Sequence, residues 1–314
     1  MEVTFTQALD LLRKGKVVAI PTETVYGLAA SLQHPQAIEE IYRLKGRPGD
    51  NPLIIHVHDL HQISQFCNEV PPLFNDLAMN FWPGPLSLVI PIKKDAIPIT
   101  ASAGLPSAAF RIPSHPVARE IIRQTTPLVM PSANLSGRPS ATQAAHLQED
   151  FGPSLPYLDG GVCDKGVEST ILVYQNSRWQ LGRLGAIPLS KLENLLGYPL
   201  KQIGETSKPL CPGQHYRHYS PKAVLKMTKR IPNTNEGVIL GFSDRIYPMR
   251  AIYLSHSQNG EEAAHHLYAA LRQLDAENIE EAWVDGNFPT NGLWETVYER
   301  LIRACLKPHS IQGH

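Results

Sequence analysis

Apolar residues along this chain fall into short β-like runs separated by stretches of helical period. Thr6 stands ahead of Ala8, Leu9 and Leu12 at helical spacing, and Gly15 lies where that helix should stop. Residues 16–20 form a β-rich run ending at Pro21, and residues 25–30 continue it beyond a turn. Pro35 opens a second helix whose Ile38, Ile41, Tyr42 and Lys45 share related faces and which Gly46 ends. The run 53–57 then reads as a buried strand. Alternation continues through strands at 86–90 and 108–112, a helix at 116–123, a strand at 128–130, a helix from near Thr142 and a late strand at 168–174. Strands interleaved with helices predict an α/β or α+β domain built on a mixed sheet, covering residues 1–188.

Beyond it, residues 189–200 fit one more helix, and residues 201–221 lose apolar periodicity, with Gly204, Pro209, Pro212, Gly213 and Pro221. The segment 189–221 is therefore expected to be a linker, although the dense Tyr216, Arg217, His218, Tyr219 cluster is unusual for a passive one. Residues 222–314 form a second unit. Strands are predicted at 237–242, 251–254 and 282–284, with helices marked by Ala264, Leu267, Leu271 and Leu274 and by Leu293, Val297, Leu301 and Ala304. This is a small Rossmann-like α/β arrangement without a GxGxxG loop, and so without the usual dinucleotide signature.

Composition narrows the function classes. A hydrophobic content of 42% with 18% charged residues suits a globular protein with a substantial core. Lys plus Arg balance Asp plus Glu at 29 each, so a polyanion would need a local patch. Residues 1–10 lack a signal-peptide core, and no 18-residue apolar run follows, which predicts a cytoplasmic protein with no membrane contact. Cys67, Cys163, Cys211 and Cys305 make no CxxC pair and are expected to be buried thiols.

The stretch Lys45-Gly-Arg-Pro-Gly-Asp-Asn-Pro52 sets two cations two residues apart, just past a helix and ahead of a buried strand. This is the pattern of an anion site beside a sheet. Polar clusters recur at other predicted strand ends: Thr22-Glu23-Thr24, Arg111, residues 131–137 with Ser132 and Asn134, and Glu168-Ser169-Thr170. Each also has a plainer reading. Lys45 and Arg47 suit a helix C-terminus, the hydroxyls suit turns, Arg183 suits a solvated surface, Asp50 and Glu23 suit surface charge, and His56 suits a satisfied structural histidine. The combination of Arg47, Arg111 and Arg183 with hydroxyl-rich turns favours an anionic ligand such as a nucleotide triphosphate.

Those same motifs carry a resemblance. Ile20-Pro-Thr-Glu-Thr-Val-Tyr-Gly-Leu28, Lys45-Gly-Arg-Pro with Asn51-Pro-Leu-Ile-Ile-His56, Ser132-Ala-Asn-Leu-Ser-Gly137 and Glu168-Ser-Thr170 resemble the YrdC/Sua5 family. The likeness runs from about Val3 to Ile187, and the later Tyr-Arg-His-Tyr-Ser-Pro-Lys linker and second unit resemble the longer Sua5 form. The resemblance implies a YrdC-like twisted mixed sheet with flanking helices. It also implies synthesis of threonylcarbamoyl-adenylate from L-threonine, bicarbonate and ATP, for the modified adenosine next to the anticodon of some tRNAs. It places Thr24, His56, Arg111, Ser132 and Ser169 around threonine. It places Arg47, Asn51, Ser107, Asn134, Thr142, Arg183 and Tyr219 on ATP, with Lys45 facing phosphates.

Ser107 stands where the family has threonine, and Ala141 where proline precedes Thr142. The expected chemistry is electrostatic, by Lys45 and Arg47, with no covalent nucleophile; Mg²⁺ is expected with the ATP, held mainly by phosphates and water. The linker from Pro209 to Lys222 is expected to act as a lid, with Tyr219 over the nucleotide. A tRNA threonylcarbamoyl transferase is the expected receiving partner, with weak RNA binding as a further expectation. Two other readings are a carbamoyl-transfer enzyme of the hydrogenase-maturation type and a non-catalytic double-stranded RNA-binding module.

Overall fold

The computed structural model describes residues 1–204, 209–214 and 219–305. The cluster expectation at Tyr216, Arg217 and His218 lies outside the described residues. Along the first unit run α1 (Phe5–Arg13), β1 (Val18–Ile20), β2 (Gly27–Ser31), α2 (Pro35–Lys45), β3 (Ile54–His56), α3 (Leu60–Ile63), α4 (Phe74–Phe81), β4 (Leu86–Pro91), α5 (Ile99–Ser102), β5 (Ser107–Arg111), α6 (Pro116–Gln124), β6 (Leu128–Val129), α7 (Ala144–Phe151), β7 (Thr170–Gln175), β8 (Arg178–Arg183) and α8 (Leu189–Leu196). The second unit adds β9 (Val224–Thr228), β10 (Val238–Phe242), β11 (Arg250–Ser255), α9 (Gly260–Ala276), β12 (Glu281–Asp285) and α10 (Leu293–Cys305).

Local chemistry explains most boundaries and corrects several. α1 begins earlier than Thr6 suggests, because Thr4 and Gln7 form a reciprocal capping box. α2 stops at Gly46, whose φ of 59° is left-handed, and the Arg47 amide closes back on the Tyr42 carbonyl at 3.0 Å. The short helices α3 and α5, helix α4 and strands β8 and β9 have no counterpart in the sequence reading. β8 follows the Asn176-Ser177 turn, where both residues take positive φ, so it pairs with β7 as a hairpin. Helix α8 lies in the segment read as linker, yet Leu192 and Leu196 are buried in the main core of the first unit.

The first unit is an eight-stranded sheet in the order β1-β2-β6-β3-β5-β4-β7-β8. β3 pairs in parallel with β5, and β4 with β7, while the other neighbours are antiparallel, so the sheet is mixed as expected. Side-chain alternation gives its central strands two different faces. Ile55, Val57, Leu86, Leu88, Ile90, Ala108, Phe110, Ile112 and Leu172 enter the main core. On the other face lie Ile54, Val89, Ala109, Ile171 and Val173, packed with Ile203 and Cys211 of the following segment. The polar residues His56, Ser87, Arg111 and Ser169 share the parity of that second face.

Arg183 reaches that face through a break in register. Ile171 opposes Arg183 while Leu172 opposes Leu181, so Gly182 is an extra residue in β8, and paired residues point to the same side. A Cβ at Gly182 would meet Cys211 Sγ at 2.9 Å, which leaves no space for a larger residue.

The second unit is a parallel four-stranded sheet, β11-β10-β12-β9, with α9 and α10 packed together in its core. Cys67, Cys163 and Cys211 are buried free thiols, as expected, whereas Cys305 is only half-buried. Among the described residues, no helix is long and apolar enough to cross a membrane.

Candidate active site

On the face of the large sheet that carries His56, Ser87, Arg111 and Ser169 opens a solvent-connected cavity, whose empty space is about 670 Å³ with the open solvent included. Lys45, Arg47, Arg111 and Arg183 line it together with Thr24, His56, Ser132, Asn134, Ser169 and Tyr219. Thus residues from seven separate segments of the chain meet at one cavity. Three expected residues do not line it. Asn51 is buried beside it, with its carbonyl receiving Tyr42 Oη and Arg47 Nε and its side-chain oxygen unpartnered. Ser107 shares the parity of Arg111 but begins β5, at the far end from Arg111. Thr142 is buried behind the cavity, its amide donating to His146 Nδ1.

The cations are held in different ways. Arg111 is 4% exposed and donates through Nη2 to Glu23 at 2.6 Å and through Nε to the Gly84 carbonyl at 3.2 Å. Burial alone would raise the Glu23 pKa, but Arg111 outweighs it and holds the carboxyl below its usual range. Glu23 is therefore an internal partner of Arg111 and not a surface charge; Asp50, by contrast, is exposed. Arg183 is also buried, with Nε and Nη2 on the Ser169 carbonyl and Nη2 3.3 Å from Ser169 Oγ. The plainer reading of Arg183 as a solvated cation fails on that burial. Arg47 is half-exposed and donates to the Asn51 and Pro52 carbonyls; burial lowers its pKa to about 10.

Lys45 is buried, and its Nζ donates to the Ser132 and Asn134 carbonyls at 2.5 and 2.6 Å. Burial first, and then Arg47, push its pKa well below the ordinary lysine value. Two of its three N–H groups are engaged in fastening the 132–137 loop to α2, which leaves one for a ligand. That geometry explains the loop's place but departs from a side chain wholly turned to phosphates.

His56 faces the cavity as a neutral base. Its Nδ1 lies 3.2 Å from the Ile54 carbonyl, which requires the proton there and leaves Nε2 as an acceptor. Burial, then Arg111, hold its pKa well below the ordinary histidine value. Thr24 is set by its neighbour: Thr22 Oγ1 lies 2.8 Å from Thr24 Oγ1 and donates to the Val25 carbonyl at 2.6 Å.

Ser87 and Ser140 carry structural weight that the sequence reading assigned to neither of them. Ser87 Oγ is 2.8 Å from Ser169 Oγ. Ser140 donates to Glu168 at 2.5 Å. A lone serine amid the apolar run of β4 was the available signal for Ser87; Ser140 offered none. Gly213, with Pro212 and Tyr219, brings the linker to the rim, and its φ of 86° selects glycine.

Comparison with known proteins follows the same division. A family model for Sua5, YciO and YrdC proteins, described as telomere recombination, matches residues 10–185. A second, described as the C-terminal domain of threonylcarbamoyl-AMP synthase, matches residues 187–305. Among relatives, the threonylcarbamoyl-AMP synthase of Bacillus subtilis is 37% identical, covering 95% of this chain and 92% of its own, and that of Pyrococcus abyssi is 36% identical with the same coverage. The crystal structure of P. abyssi Sua5 complexed with L-threonine superposes with a TM-score of 0.88 at 32% identity, over 97% of this chain and 96% of that one. Matched in both halves and folded alike along nearly its whole length, the chain belongs to the Sua5/YciO/YrdC family, in the form that carries the Sua5-type C-terminal domain.

Proposed function

We propose that this chain is an L-threonylcarbamoyladenylate synthase, a nucleotidyltransferase that forms threonylcarbamoyl-AMP and pyrophosphate from L-threonine, bicarbonate-derived CO₂ and ATP. The observation that carries this reading is the convergence of Arg47, Arg111 and Arg183 on one hydroxyl-lined cavity, in a chain whose full-length relatives bear that name.

The neutral amine of threonine attacks CO₂, the new C–N bond gives a carbamate, and the amine proton leaves to a base. A carbamate oxygen then attacks the α-phosphorus of ATP, and the bond to pyrophosphate breaks. Both steps ask for alignment and charge stabilisation more than for a nucleophilic side chain. Arg111, locked by Glu23, is the partner for the threonine carboxylate. His56 Nε2 offers a lone pair to the amine or the hydroxyl, and Thr24, Ser132 and Ser169 complete that end. Arg47 and Arg183 take the phosphates, gaining strength as charge builds on pyrophosphate. Asn134 and Tyr219 line the nucleotide side, while Asn51, Ser107 and Thr142 serve ATP only if its adenosine extends past the cavity rim.

The residues present do not fit a protein-held Mg²⁺. Among the described residues no group of three or more His, Cys, Asp or Glu side chains is placed to hold a metal, and Glu168, the carboxylate at the cavity, is already engaged by Ser140, Tyr268 and Arg300. Any Mg²⁺ would arrive with the substrate triphosphate, held by phosphate oxygens and water. The free thiols are in keeping with a reducing cytoplasm, where the product passes to a tRNA threonylcarbamoyl transferase.

The test is pyrophosphate release by the purified chain with ATP and Mg²⁺, omitting threonine or bicarbonate in turn. Release that requires both supports the proposal. Release needing neither, or none at all, overturns it.

A further inference from the structure

The second unit reaches residues that line the cavity, Glu168, Gly213 and Tyr219, through three side chains. Arg300 of α10 is fully buried. Its Nε lies 3.2 Å from Glu168 and 3.1 Å from Tyr268 Oη, its Nη2 donates to the Leu184 carbonyl at 2.8 Å, and its Nη1 pairs with Glu299. With the edge of the guanidinium thus occupied, its face lies over the Tyr219 ring, 4.4 Å from the centroid. Tyr268 of α9 donates to Glu168 at 2.8 Å and stacks on Tyr219 at 5.4 Å and 21°. Arg303, one turn further along α10, donates to the Gly213 carbonyl at 3.0 Å.

These contacts converge on the two pieces of chain that border the phosphate side. Glu168 precedes Ser169, on whose carbonyl Arg183 rests. Tyr219 has a φ of 68°, a left-handed conformation that a bulky residue holds only when its surroundings over-determine it. A Cβ at Gly213 would lie 3.1 Å from Arg183 Cδ and 3.5 Å from Tyr219 Oη, so linker, tyrosine and arginine are in mutual contact. A counter-ion for Glu168 needs only the edge of a guanidinium; the stacked face is an additional feature, and it fixes the ring that lines the cavity.

We infer that Arg300 is a positioning residue for the nucleotide: by stacking on Tyr219 while pairing with Glu168, it makes the C-terminal unit complete the phosphate side of the cavity. The inference rests on the proposed function for the identity of the nucleotide. It goes beyond a passive tether, because it assigns the placing of the Tyr219 ring to one side chain.

The test is equilibrium titration of the full chain, wild type and Arg300→Lys, with a non-hydrolysable ATP analogue and separately with L-threonine, beside thermal unfolding. Lysine keeps the charge for Glu168 and loses the planar face. The expected result is about tenfold weaker binding of the analogue, with threonine affinity within about twofold and a melting midpoint within a few degrees. Unchanged analogue binding overturns the inference, as does a parallel loss of both affinities with a lowered midpoint, which marks a structural counter-ion only. If Arg300→Lys does not fold, Glu168→Gln with Arg300→Met removes both buried charges and takes its place, with the same outcomes. Because the readout is binding, a wild-type chain that binds the analogue but releases no pyrophosphate overturns the proposed function and leaves this inference standing.

Discussion

Both sheets end in an arginine paired with a buried carboxylate, the arginine buried on the large sheet and half-exposed on the small one, and among the described residues the large-sheet pair borders the candidate site. On the large sheet, Arg111 and Glu23 meet at 2.6 Å beside a cavity that Lys45, Arg47 and Arg183 also line. On the small parallel sheet, Asp285 at the end of β12 is 2.6 Å from Arg245, 2.7 Å from Tyr247 Oη and 2.9 Å from both the amide and the side-chain nitrogen of Asn287. Asp244 nearby accepts from the Ser257 amide and hydroxyl at 2.7 and 2.6 Å. The carboxyl ends of parallel strands are where α/β sheets commonly bind ligands, but here acceptors and donors satisfy each other. What makes a strand-end cluster a site is an excess of buried donors that only a ligand can match. The large sheet has that excess in cations and the small one does not.

The sharpest way to break this comparison is to remove the arginine from each pair. Arg111→Ala should abolish threonine-dependent pyrophosphate release, by at least about a hundredfold, and should lower stability by about 3–5 kcal/mol because Glu23 is left buried and unpaired. Arg245→Ala should lower stability by about 1–3 kcal/mol in a denaturant titration and leave turnover per folded molecule unchanged. Equal effects on turnover would show the two clusters to be equivalent. Next in size, Arg47→Ala should raise the KM for ATP by roughly thirtyfold, the loss expected for a charge-assisted contact to phosphate, with the KM for threonine nearly constant.

Acid should expose the large unit before the small one. His56 is held well below its ordinary pKa by burial, then by Arg111, and His146 is pushed down to about 3 by burial, then by Arg272. In the unfolded chain both take a proton near pH 6.5, which the folded state refuses, so stability is complete above that pH and declines below it by up to about 1.4 kcal/mol per pH unit for each histidine. Melting curves between pH 7 and 5 should show the decline, and His56→Gln should reduce its slope by about half, leaving the share of His146. A slope unaltered by that substitution would contradict the neutral assignment. The smallest effect is expected at Ser107, outside the cavity: Ser107→Thr should change the KM for ATP by no more than about twofold, since both residues supply a hydroxyl.

Much of the fold was legible because buried strands here are apolar on both sides or alternate cleanly, and because α2 carries its own signals, Pro35 at the start and Gly46 at the end. Strand β8 escaped because its pattern, Arg178 to Arg183, mixes charge and apolar residues as an edge strand does, and β9 escaped because only Leu225 among its residues is buried. The candidate site was legible where cations and hydroxyls cluster in the sequence. It was not legible where the partner comes from elsewhere: Glu23 looked like surface charge until Arg111 was found against it.

Periodicity, caps and turn residues belong to neighbouring positions, so the longer helices, the apolar strands and the types of residue at the strand ends could be read directly from the amino acids. Tertiary structure alone decided that Gly182 shifts the register and sends Arg183 to the cavity face, that Lys45 fastens the 132–137 loop, and that Arg300 and Tyr268, which along α10 and α9 are ordinary core positions, close on Glu168 from 132 and 100 residues away. Such contacts depend on which face meets which, and burial of charge is specified only when the distant partner that neutralises it has been brought into place.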